Sequence, residues 1–343
     1  MVRLPPASDY PNRFATLNEG AKAAYGRNGA INLNLLDRGF TMISFQKITS
    51  ALRPAMQPAL LKNNKGCEYS FTNMRIWGRQ QAAYLDGFWV IFSQFDRKAV
   101  YPFPVGQGDV APVLEAIIHD ARARGIPCCI TGLNEENIAT LEKYYPGAFK
   151  IHCDRDSFDY VYNIDDLAEL KGRKYQKKRN HLHRFRNQHP NWRVETLTPA
   201  NMQAVQDMAA DWYRTREEHD PQGDYDLEKT ALCRLFAHFD TLKPEGLVLL
   251  EEDRVLAFTV GSFLTEDTID VHFEKAREDV DGAYTAINQA FAQHLREKYP
   301  TVRYLDREED MGLEGLRKAK LSYCPDHMTE KYWARLWEET DEP

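Results

Sequence analysis

The sequence predicts a mixed α/β protein built from two similar units, and two observations support this class. First, a β-hairpin, a helix, a strand and a second helix follow one another, and this order recurs later in the chain. Second, the 343 residues have an ordinary globular composition, with 43% hydrophobic, 28% charged and 12% aromatic residues. That composition excludes wholesale disorder, collagen and coiled coils. Each unit is expected to hold a mixed, mostly antiparallel sheet flanked by helices.

The elements of the first unit are predicted from turn residues and from the spacing of apolar residues. An Asp-Gly pair between apolar runs is typical of a tight hairpin turn, and proline favours the first turn of a helix. In order, the predicted elements are a hairpin over 76–95 with its turn at Asp86-Gly87, a helix from Pro112 to Gly125, a strand over 126–131 and a helix from Asn134 to just before Pro146.

The second unit repeats this pattern after two linking helices, which carry regular helical stripes of apolar residues and are interpreted as core elements. The linking helices are expected near 202–216 and 227–239. The repeated elements are a hairpin over 247–264 turning at Glu252-Asp253, a strand over 269–273, a helix from about Gly282 and a strand over 302–305.

This pattern predicts that the chain is divided into three parts. Residues 1–41 are rich in Pro, Gly and Asn without periodicity, which predicts a poorly ordered extension and makes Met42 a candidate start. Residues 42–165 are predicted to form the first domain. Residues 166–343 are predicted to form the second, with a basic helix over 171–187 and the candidate active site.

Several classes of function are excluded or disfavoured. No run of 18 apolar residues and no secretory signal occurs, and the six cysteines lack CxxC spacing, so a cytoplasmic location is expected. Nucleotide-binding glycine motifs are absent. His181, His183 and His189 could be imagined as metal ligands, but the neighbouring cations would repel a dication. No metal and no cofactor are therefore expected.

A basic segment stands out against a net charge of −7. Residues 171–186 contain eight Lys and Arg residues and no acid, while Tyr175, Leu182 and Phe185 can share one narrow helical face. Such a helix would present its cations to a polyphosphate chain. The alternative is a solvated basic helix, and the sequence leaves both interpretations open.

An acidic loop followed by a short basic helix is the second candidate segment. Four carboxylates lie between 306 and 310, after a predicted strand, and a glycine turn then leads to cations at Arg317, Lys318 and Lys320. Loops at strand ends carry catalytic groups in many α/β proteins. A carboxylate there could act as a general base, and a cation could hold a phosphate or an oxyanion. The alternative is an exposed acidic loop that leads into a charged helix.

A third segment joins a strand to a helix. Glu274 and Lys275 end the strand, and Gly282 and Tyr284 open the helix. Backbone N–H groups at a helix start can hold a phosphate. This signal is weak by itself, because many strand–loop–helix connections share it.

Together the three segments resemble the phosphatidylglycerol lysyltransferase C-terminal domain family over roughly residues 42–335. The motifs are Lys-Gly-Arg-Lys-Tyr-Gln-Lys-Lys-Arg-Asn-His from 171, Glu-Lys at 274, Gly-Ala-Tyr at 282, and Arg-Glu-Glu-Asp-Met-Gly-Leu-Glu-Gly-Leu-Arg-Lys-Ala-Lys-Leu-Ser-Tyr from 307. The resemblance implies a tandem GNAT-like fold, related to aminoacyl-phosphatidylglycerol synthases and Fem-type aminoacyltransferases. Those relatives move an aminoacyl group from aminoacyl-tRNA to a lipid hydroxyl or a peptide amine, which makes a peripheral membrane contact one expected partner.

The resemblance also suggests roles for individual residues. Asp310 or Glu274 would take the proton from the attacking group, with Arg317 completing the catalytic set. Arg317 and Lys320 would hold a terminal phosphate or the developing oxyanion. Further donor-binding candidates, grouped by segment, are Arg307 and Glu309, then Gly282 and Tyr284, then the tRNA-backbone contacts Lys174, Lys177, Lys178 and Arg179.

Two alternative functions remain open at this stage. An acyl-CoA N-acyltransferase could use the same cleft, although Asp279 and Tyr284 depart from the pattern of an acetyl-CoA pyrophosphate loop. A nonenzymatic RNA-binding protein could retain the same fold, although the clustered carboxylates of the 305–310 loop would repel RNA.

Overall fold

A computed structural model describes residues 42–63, 65–95, 98–220 and 225–337. The predicted N-terminal extension, residues 1–41, lies outside the described residues. The predicted fold class is confirmed: two mixed, mostly antiparallel sheets are each flanked by helices. None of the helices in the described part of the chain combines the length and apolar character that crossing a bilayer requires.

The strands of the described residues, in chain order, are β1 Gln46–Lys47, β2 Gln80–Leu85, β3 Phe88–Phe95, β4 Lys98–Pro102, β5 Val105–Gly106, β6 Cys129–Leu133, β7 Phe149–Cys153, β8 Asp159–Asn163, β9 Trp192–Thr196, β10 Glu245–Glu251, β11 Arg254–Phe263, β12 Thr268–Ala276, β13 Tyr304–Asp306, β14 His327–Thr329 and β15 Tyr332–Leu336.

The helices are α1 Arg53–Asn63, α2 Phe71–Trp77, α3 Ala111–Ala123, α4 Glu135–Tyr144, α5 Ile164–Glu169, α6 Gln176–Gln188, α7 Met202–His219, α8 Asp226–Ala237, α9 Phe239–Leu242, α10 Ala283–Lys298 and α11 Glu314–Leu321. A 3₁₀ turn over Arg173–Tyr175 precedes α6.

The first sheet has the strand order β1-β2-β3-β4-β6-β15-β7, with β5 also paired to β3. Its neighbours are antiparallel except β4 and β6, which run parallel. Helix α3 covers this sheet with the apolar stripe that the sequence predicts, since Val113, Leu114 and Ile117 are fully buried. Burial of this stripe stabilises the helix, whose N-cap residue Val110 makes no side-chain capping hydrogen bond.

The second sheet has the order β14-β8-β13-β12-β11-β10-β9, and only β12 and β13 run parallel. Helix α10 packs on it through Ala283, Ile287 and Phe291, which belong to the same buried cluster as strand residues of this sheet. The basic helix α6 joins the cluster through the three apolar residues predicted for it, and Tyr175, Leu182 and Phe185 are 0%, 6% and 0% exposed.

The two compact units are not continuous in sequence. Described residues 42–47, 79–157 and 330–337 form one unit, and 48–78 with 158–329 form the other. The single boundary predicted at 165/166 does not describe these units, because each unit contains segments from both sides of it. Its physical cause is long-range pairing, because β15 lies between β6 and β7 in the first sheet. Such pairing leaves no local signal in the sequence.

One predicted boundary differs from the structure at the first hairpin. Residues 76–79 were expected to begin a strand, but α2 continues to Trp77 and β2 begins at Gln80. The Ser70 side chain accepts a hydrogen bond from the Asn73 amide and caps α2, and Gly78 ends it with φ 69°. These two local stops define a helix of two turns that apolar periodicity alone does not distinguish from a strand.

Candidate active site

A β-bulge in β12 organises the candidate site. Val260 of β11 pairs with Phe273 and the next residue, Gly261, pairs with Val271, so His272 is the extra residue. A bulge of this kind changes the alternation of side chains along a strand. As a result Glu274 contacts Asn288 of α10, whereas its neighbour Lys275 contacts a residue of α8.

Glu274 forms a buried ion pair with Arg307, which follows β13. Arg307 Nη2 donates to Glu274 Oε1 over 2.8 Å, and the two side chains are 14% and 6% exposed. Asn288 Nδ2 donates to the other carboxylate oxygen over 3.2 Å. The Arg307 guanidinium also lies 4.9 Å from the centre of the Tyr323 ring. Charge neutralisation and these contacts hold the pair at one position in the second unit.

One nitrogen of the Arg307 guanidinium takes no part in the hydrogen bonds of the Glu274–Arg307 pair. Arg307 Nη1 is buried and has no hydrogen-bond partner among the described residues. An unsatisfied buried donor is costly, so its presence usually has a functional reason. A guanidinium N–H next to a carboxylate is suited to bind a carbonyl oxygen that becomes negative during a reaction.

Glu274, Arg307 and Tyr323 form one cluster, and Lys178 of the basic helix α6 belongs to it. Its Nζ lies 3.4 Å from the centre of the Tyr323 ring and donates to Ser322 Oγ over 2.7 Å. Burial, together with the charge of Arg307, lowers the pKa of Lys178 to about 8. Burial raises the pKa of Tyr323 to about 12, so its hydroxyl stays protonated at neutral pH.

Tyr284, a predicted donor-binding residue, is half-buried on the first turn of α10. Trp212 Nε1 donates to its hydroxyl oxygen over 3.2 Å. Burial raises the pKa of Tyr284, and Glu274 acts in the same direction although weakly. Tyr284 and Asn288 are one turn apart on α10, so the two residues approach Glu274 from the same helix face.

Asp310, the first candidate for the base, is fully buried and saturated with hydrogen bonds. Arg317 binds both of its oxygens at 2.8 Å, the Tyr160 hydroxyl donates over 2.5 Å, and the Gly312 amide donates over 2.9 Å. Burial raises the pKa of Asp310, but these donors outweigh it and hold the pKa well below its usual range. The predicted proximity of Asp310 and Arg317 is present, in the form of an ion pair that braces the loop.

Lys320 lies beneath the acidic loop instead of facing a pocket. It is 8% exposed, and its Nζ donates to the carbonyls of Arg307, Glu308 and Glu309 over 2.5, 3.0 and 2.5 Å. An ammonium has three N–H groups, so these three carbonyls use all of them. Glu309, predicted to bind the donor, accepts from the Cys67 thiol over 3.1 Å. Both residues therefore shape the loop that carries Arg307.

Gly282, at the predicted phosphate-binding helix start, packs closely against helix α6. A Cβ at this position would lie 2.5 Å from the His181 carbonyl oxygen and 2.9 Å from Phe185 Cβ, and φ is +86°. The glycine therefore allows close approach of α6 to the start of α10. The left-handed conformation of Gly282 therefore has a packing cause.

The four predicted phosphate-binding cations differ in their contacts. Lys174 pairs with Asp166 at 2.6 Å, and Arg179 donates to the carbonyls of Leu170 and Gly172. Lys178 belongs to the cluster around Tyr323. Lys177 is exposed and is the one of the four without a hydrogen-bond or ion-pair partner in the described residues. A shallow depression lies beside it, lined by Lys177, Asn180, His181, His183 and Arg184.

The sequence analysis missed several residues of the cluster, above all Asn288 and Tyr323. Tyr323 ends the motif that starts at Arg307, but no role was predicted for it. Asn288 follows Tyr284 by four residues, and this helical spacing of two polar residues on an apolar helix was the available signal.

Comparisons with known proteins confirm the resemblance seen in the sequence. The model of the family described as phosphatidylglycerol lysyltransferase, C-terminal, matches residues 60–335. A conserved protein of unknown function from Bacteroides thetaiotaomicron has 38% sequence identity and a TM-score of 0.82, covering 86% of this chain and 100% of that one.

Two further relatives are more distant. The structure of L-PGS from Bacillus licheniformis has a TM-score of 0.62 at 14% identity, covering 84% of this chain and 92% of that one, and it shows the fold alone. An uncharacterized protein of Mycoplasmoides gallisepticum is 24% identical over 185 residues, which cover 52% of this chain and 56% of that protein. The chain thus matches little more than half the length of this curated relative.

Proposed function

Because the chain belongs to the phosphatidylglycerol lysyltransferase C-terminal family, we propose that it is an aminoacyltransferase. It would take the aminoacyl group of an aminoacyl-tRNA in the cytoplasm and pass it to a lipid hydroxyl or an amine. The observation that carries this proposal is the buried Glu274–Arg307 pair with its unpartnered Arg307 Nη1. A base and an oxyanion donor side by side are what acyl transfer between an ester and a nucleophile requires.

The reaction needs two steps from this pair. The acceptor oxygen or nitrogen attacks the ester carbonyl while Glu274 takes its proton, and Arg307 Nη1 donates to the resulting oxyanion. The tetrahedral intermediate then expels the ribose oxygen, which takes a proton back from Glu274, and the new ester or amide remains on the acceptor. The aminoacyl ester is already activated, so no covalent enzyme intermediate is needed.

Glu274 is the better of the two base candidates by its hydrogen bonds. Each oxygen of Asp310 accepts two strong hydrogen bonds, one of them from Arg317. Glu274 Oε2 accepts one, from Asn288 over 3.2 Å. A carboxylate oxygen with lone pairs still free can accept a proton at lower cost. Asp310 and Arg317 would then support catalysis by holding the loop.

The tRNA would approach along α6. Lys178 connects this helix to the catalytic cluster, and Lys177 with Arg184 lines the neighbouring depression. Phosphates bound at Lys177 would therefore lie one helical turn or less from Lys178. An acyl-CoA donor would bind its pyrophosphate at the start of α10 in the usual GNAT manner, and the His181 carbonyl beside Gly282 leaves less room for it.

The experiment that tests the proposal supplies the full chain with aminoacyl-tRNA carrying a labelled amino acid. The acceptors are phosphatidylglycerol vesicles in one arm and an amine-bearing peptide in the other. We expect label to move from tRNA to one acceptor and the transfer to fail in Glu274→Gln. Glu228→Gln is the matched control, because Glu228 forms a similar ion pair with Lys275 at 2.7 Å.

Two outcomes would contradict the proposal. Transfer of label from acetyl-CoA with none from any aminoacyl-tRNA would make the chain an acyl-CoA transferase. Tight tRNA binding that leaves the ester intact with every acceptor would make it a nonenzymatic RNA-binding protein.

A further inference from the structure

A second polar cluster lies on the other side of the β12 bulge from Glu274. Asp270 and His272 come from β12, and Glu308 comes from the loop after β13. Asp270 and Glu308 accept hydrogen bonds from Asn73 of α2. Two consecutive residues of this loop therefore belong to different clusters. Arg307 binds Glu274, whereas Glu308 lies with Asp270 and His272.

The distances in this cluster match the spacing of ligands around one metal ion. His272 Nδ1 lies 3.3 Å from Asp270 Oδ2 and 3.8 Å from Glu308 Oε1. One atom from each of the three residues falls within 4.8 Å of the other two. Bonds of about 2.0–2.2 Å in a tetrahedral site place neighbouring ligands roughly 3.3–3.6 Å apart.

The imidazole of His272 is oriented as in a metal ligand. Its Nε2 lies 2.8 Å from Ser262 Oγ, which is itself 2.8 Å from Thr72 Oγ1. A ring N–H that donates to such a partner leaves the other nitrogen with its lone pair free. That nitrogen, Nδ1, has no hydrogen-bond partner among the described residues although the side chain is fully buried, and it faces two carboxylates.

Two more buried atoms point to a missing partner. Within the part of the chain that the structure describes, Asp270 Oδ1 and Asn73 Oδ1 have no hydrogen-bond partner, and Asp270 and Asn73 are 0% and 6% exposed. Asn73 Nδ2 donates to Asp270 Oδ2, Glu308 Oε1 and the Cys67 carbonyl at 3.1, 2.8 and 3.2 Å. Rotating this amide by half a turn would present Oδ1 to the same carboxylate-lined position.

The charges of the cluster also favour a cation. Asp270 Oδ2 and Glu308 Oε1 lie 3.3 and 3.8 Å from the same imidazole nitrogen, so the two carboxylates are close enough to repel each other. The neighbouring arginines pair with other carboxylates: Arg317 pairs with Asp310, and Arg307 pairs with Glu274. A dication bound between Asp270 and Glu308 would offset this repulsion.

We propose that Asp270, His272 and Glu308 bind one divalent transition-metal ion, with Asn73 Oδ1 as a fourth ligand. The imidazole nitrogen favours Zn²⁺ or a neighbouring transition metal over Mg²⁺ or Ca²⁺, which prefer oxygen ligands alone. The ion would fix the bulge and the 307–310 loop, and so the position of Arg307. This role is one of positioning and does not depend on which acyl group the protein transfers.

The histidines of the basic segment are not part of such a site. Two groups of ligands in the described residues are close enough to hold an ion, and neither includes His181, His183 or His189. His181 pairs with Asp281 and His189 with Glu251.

The test measures Zn²⁺ binding to the full chain after treatment with a chelator and dialysis. We expect one Zn²⁺ per chain by titration calorimetry, a rise in melting temperature on adding Zn²⁺, and a visible Co²⁺ spectrum typical of four-coordination. His272→Gln should weaken binding at least 100-fold. Glu308→Gln, which changes a half-buried loop residue and is safer for folding, should weaken it about 10-fold or more.

His219→Gln is the matched control, because His219 is exposed at the end of α7 and should leave binding unchanged. Zn²⁺ affinity that is equal in wild type, His272→Gln and Glu308→Gln would overturn the proposal and assign the ion to surface groups. Absence of stoichiometric binding to the folded wild-type chain would overturn it as well. Neither result would bear on aminoacyl transfer, which is measured separately.

Discussion

Arg307 donates to Glu274 over 2.8 Å, although 33 residues separate them in the chain. The parallel pairing of β12 with β13 and the bulge at His272 bring the two side chains together. Since Glu274 neutralises the guanidinium, Arg307 can remain buried with one N–H group unused. This relationship is the basis of the proposed acyl transfer, and it makes the role of each partner measurable.

Glu274→Gln should lower turnover by about 10²–10⁴, the usual contribution of a general base. The amide keeps the size of the side chain and can still accept from Arg307, so donor binding should change little. Rate and donor affinity are measured together, with Glu228→Gln as the control ion pair. Unchanged turnover in a folded Glu274→Gln protein would remove Glu274 from the mechanism.

Asp310→Asn and Arg317→Met should behave as a structural pair. Each is expected to destabilise the fold by about 1–3 kcal/mol, since each leaves a buried group without its partner. Because the folded state lowers the pKa of Asp310, the stability it contributes is present above about pH 4 and is lost as pH falls through the lower folded pKa. Thermal melts of both variants from pH 7 to pH 3 should therefore converge toward wild type at acid pH.

The same two variants decide whether Asp310 is the base. If the Asp310–Arg317 ion pair only stabilises the loop, both variants should melt at a lower temperature and keep nearly normal turnover below the melting transition. A selective loss of about 10² or more in turnover for Asp310→Asn alone, with normal stability, would restore the sequence prediction.

Lys178 should make donor binding depend on pH near 8. Its pKa of about 8 means that the ammonium is charged below this pH and neutral above it, so affinity for a phosphate-bearing donor should fall as pH rises through 8. The charged and titratable groups around it are Arg307, Glu274, Cys324 and Tyr323. Lys178→Met should remove this pH dependence. Persistence of the same decline in Lys178→Met would assign it to another group.

Lys177 should contribute one phosphate contact of its own. Lys177→Gln is expected to reduce the slope of log K against log salt for tRNA binding by about 0.7–0.9. Lys174→Gln is the matched comparison, because Lys174 already pairs with Asp166 and its loss should change the slope less. Equal slopes for Lys177→Gln and wild type would mean that this face of α6 is merely solvated.

Local patterns were sufficient for much of the fold. The Asp86-Gly87 turn, the helix opened by Pro112, the cap at Asn134 and the hairpin at Glu252-Asp253 all occur where turn chemistry and apolar spacing predict them. The narrow apolar face of the basic helix is also present. These features depend on residues within one or two turns of each other, so the sequence contains the information needed to find them.

The candidate site was predictable only as a set of segments. The spacing of Asp310 and Arg317 correctly brings them into contact, but a carboxylate close to a guanidinium can be a base or a brace. Burial and the donors from Tyr160 and Gly312 favour the second role, and both depend on packing.

The bulge at His272, the pairing of Arg307 with Glu274 and the placement of β15 between β6 and β7 were decided by tertiary structure. Each joins residues far apart in the chain. A one-residue shift in strand register exchanges which side chains face α10 and which face α2, and this register is set by the sheet as a whole. For this reason the chemistry-bearing residues could be named from the sequence, whereas their partners required the assembled sheet.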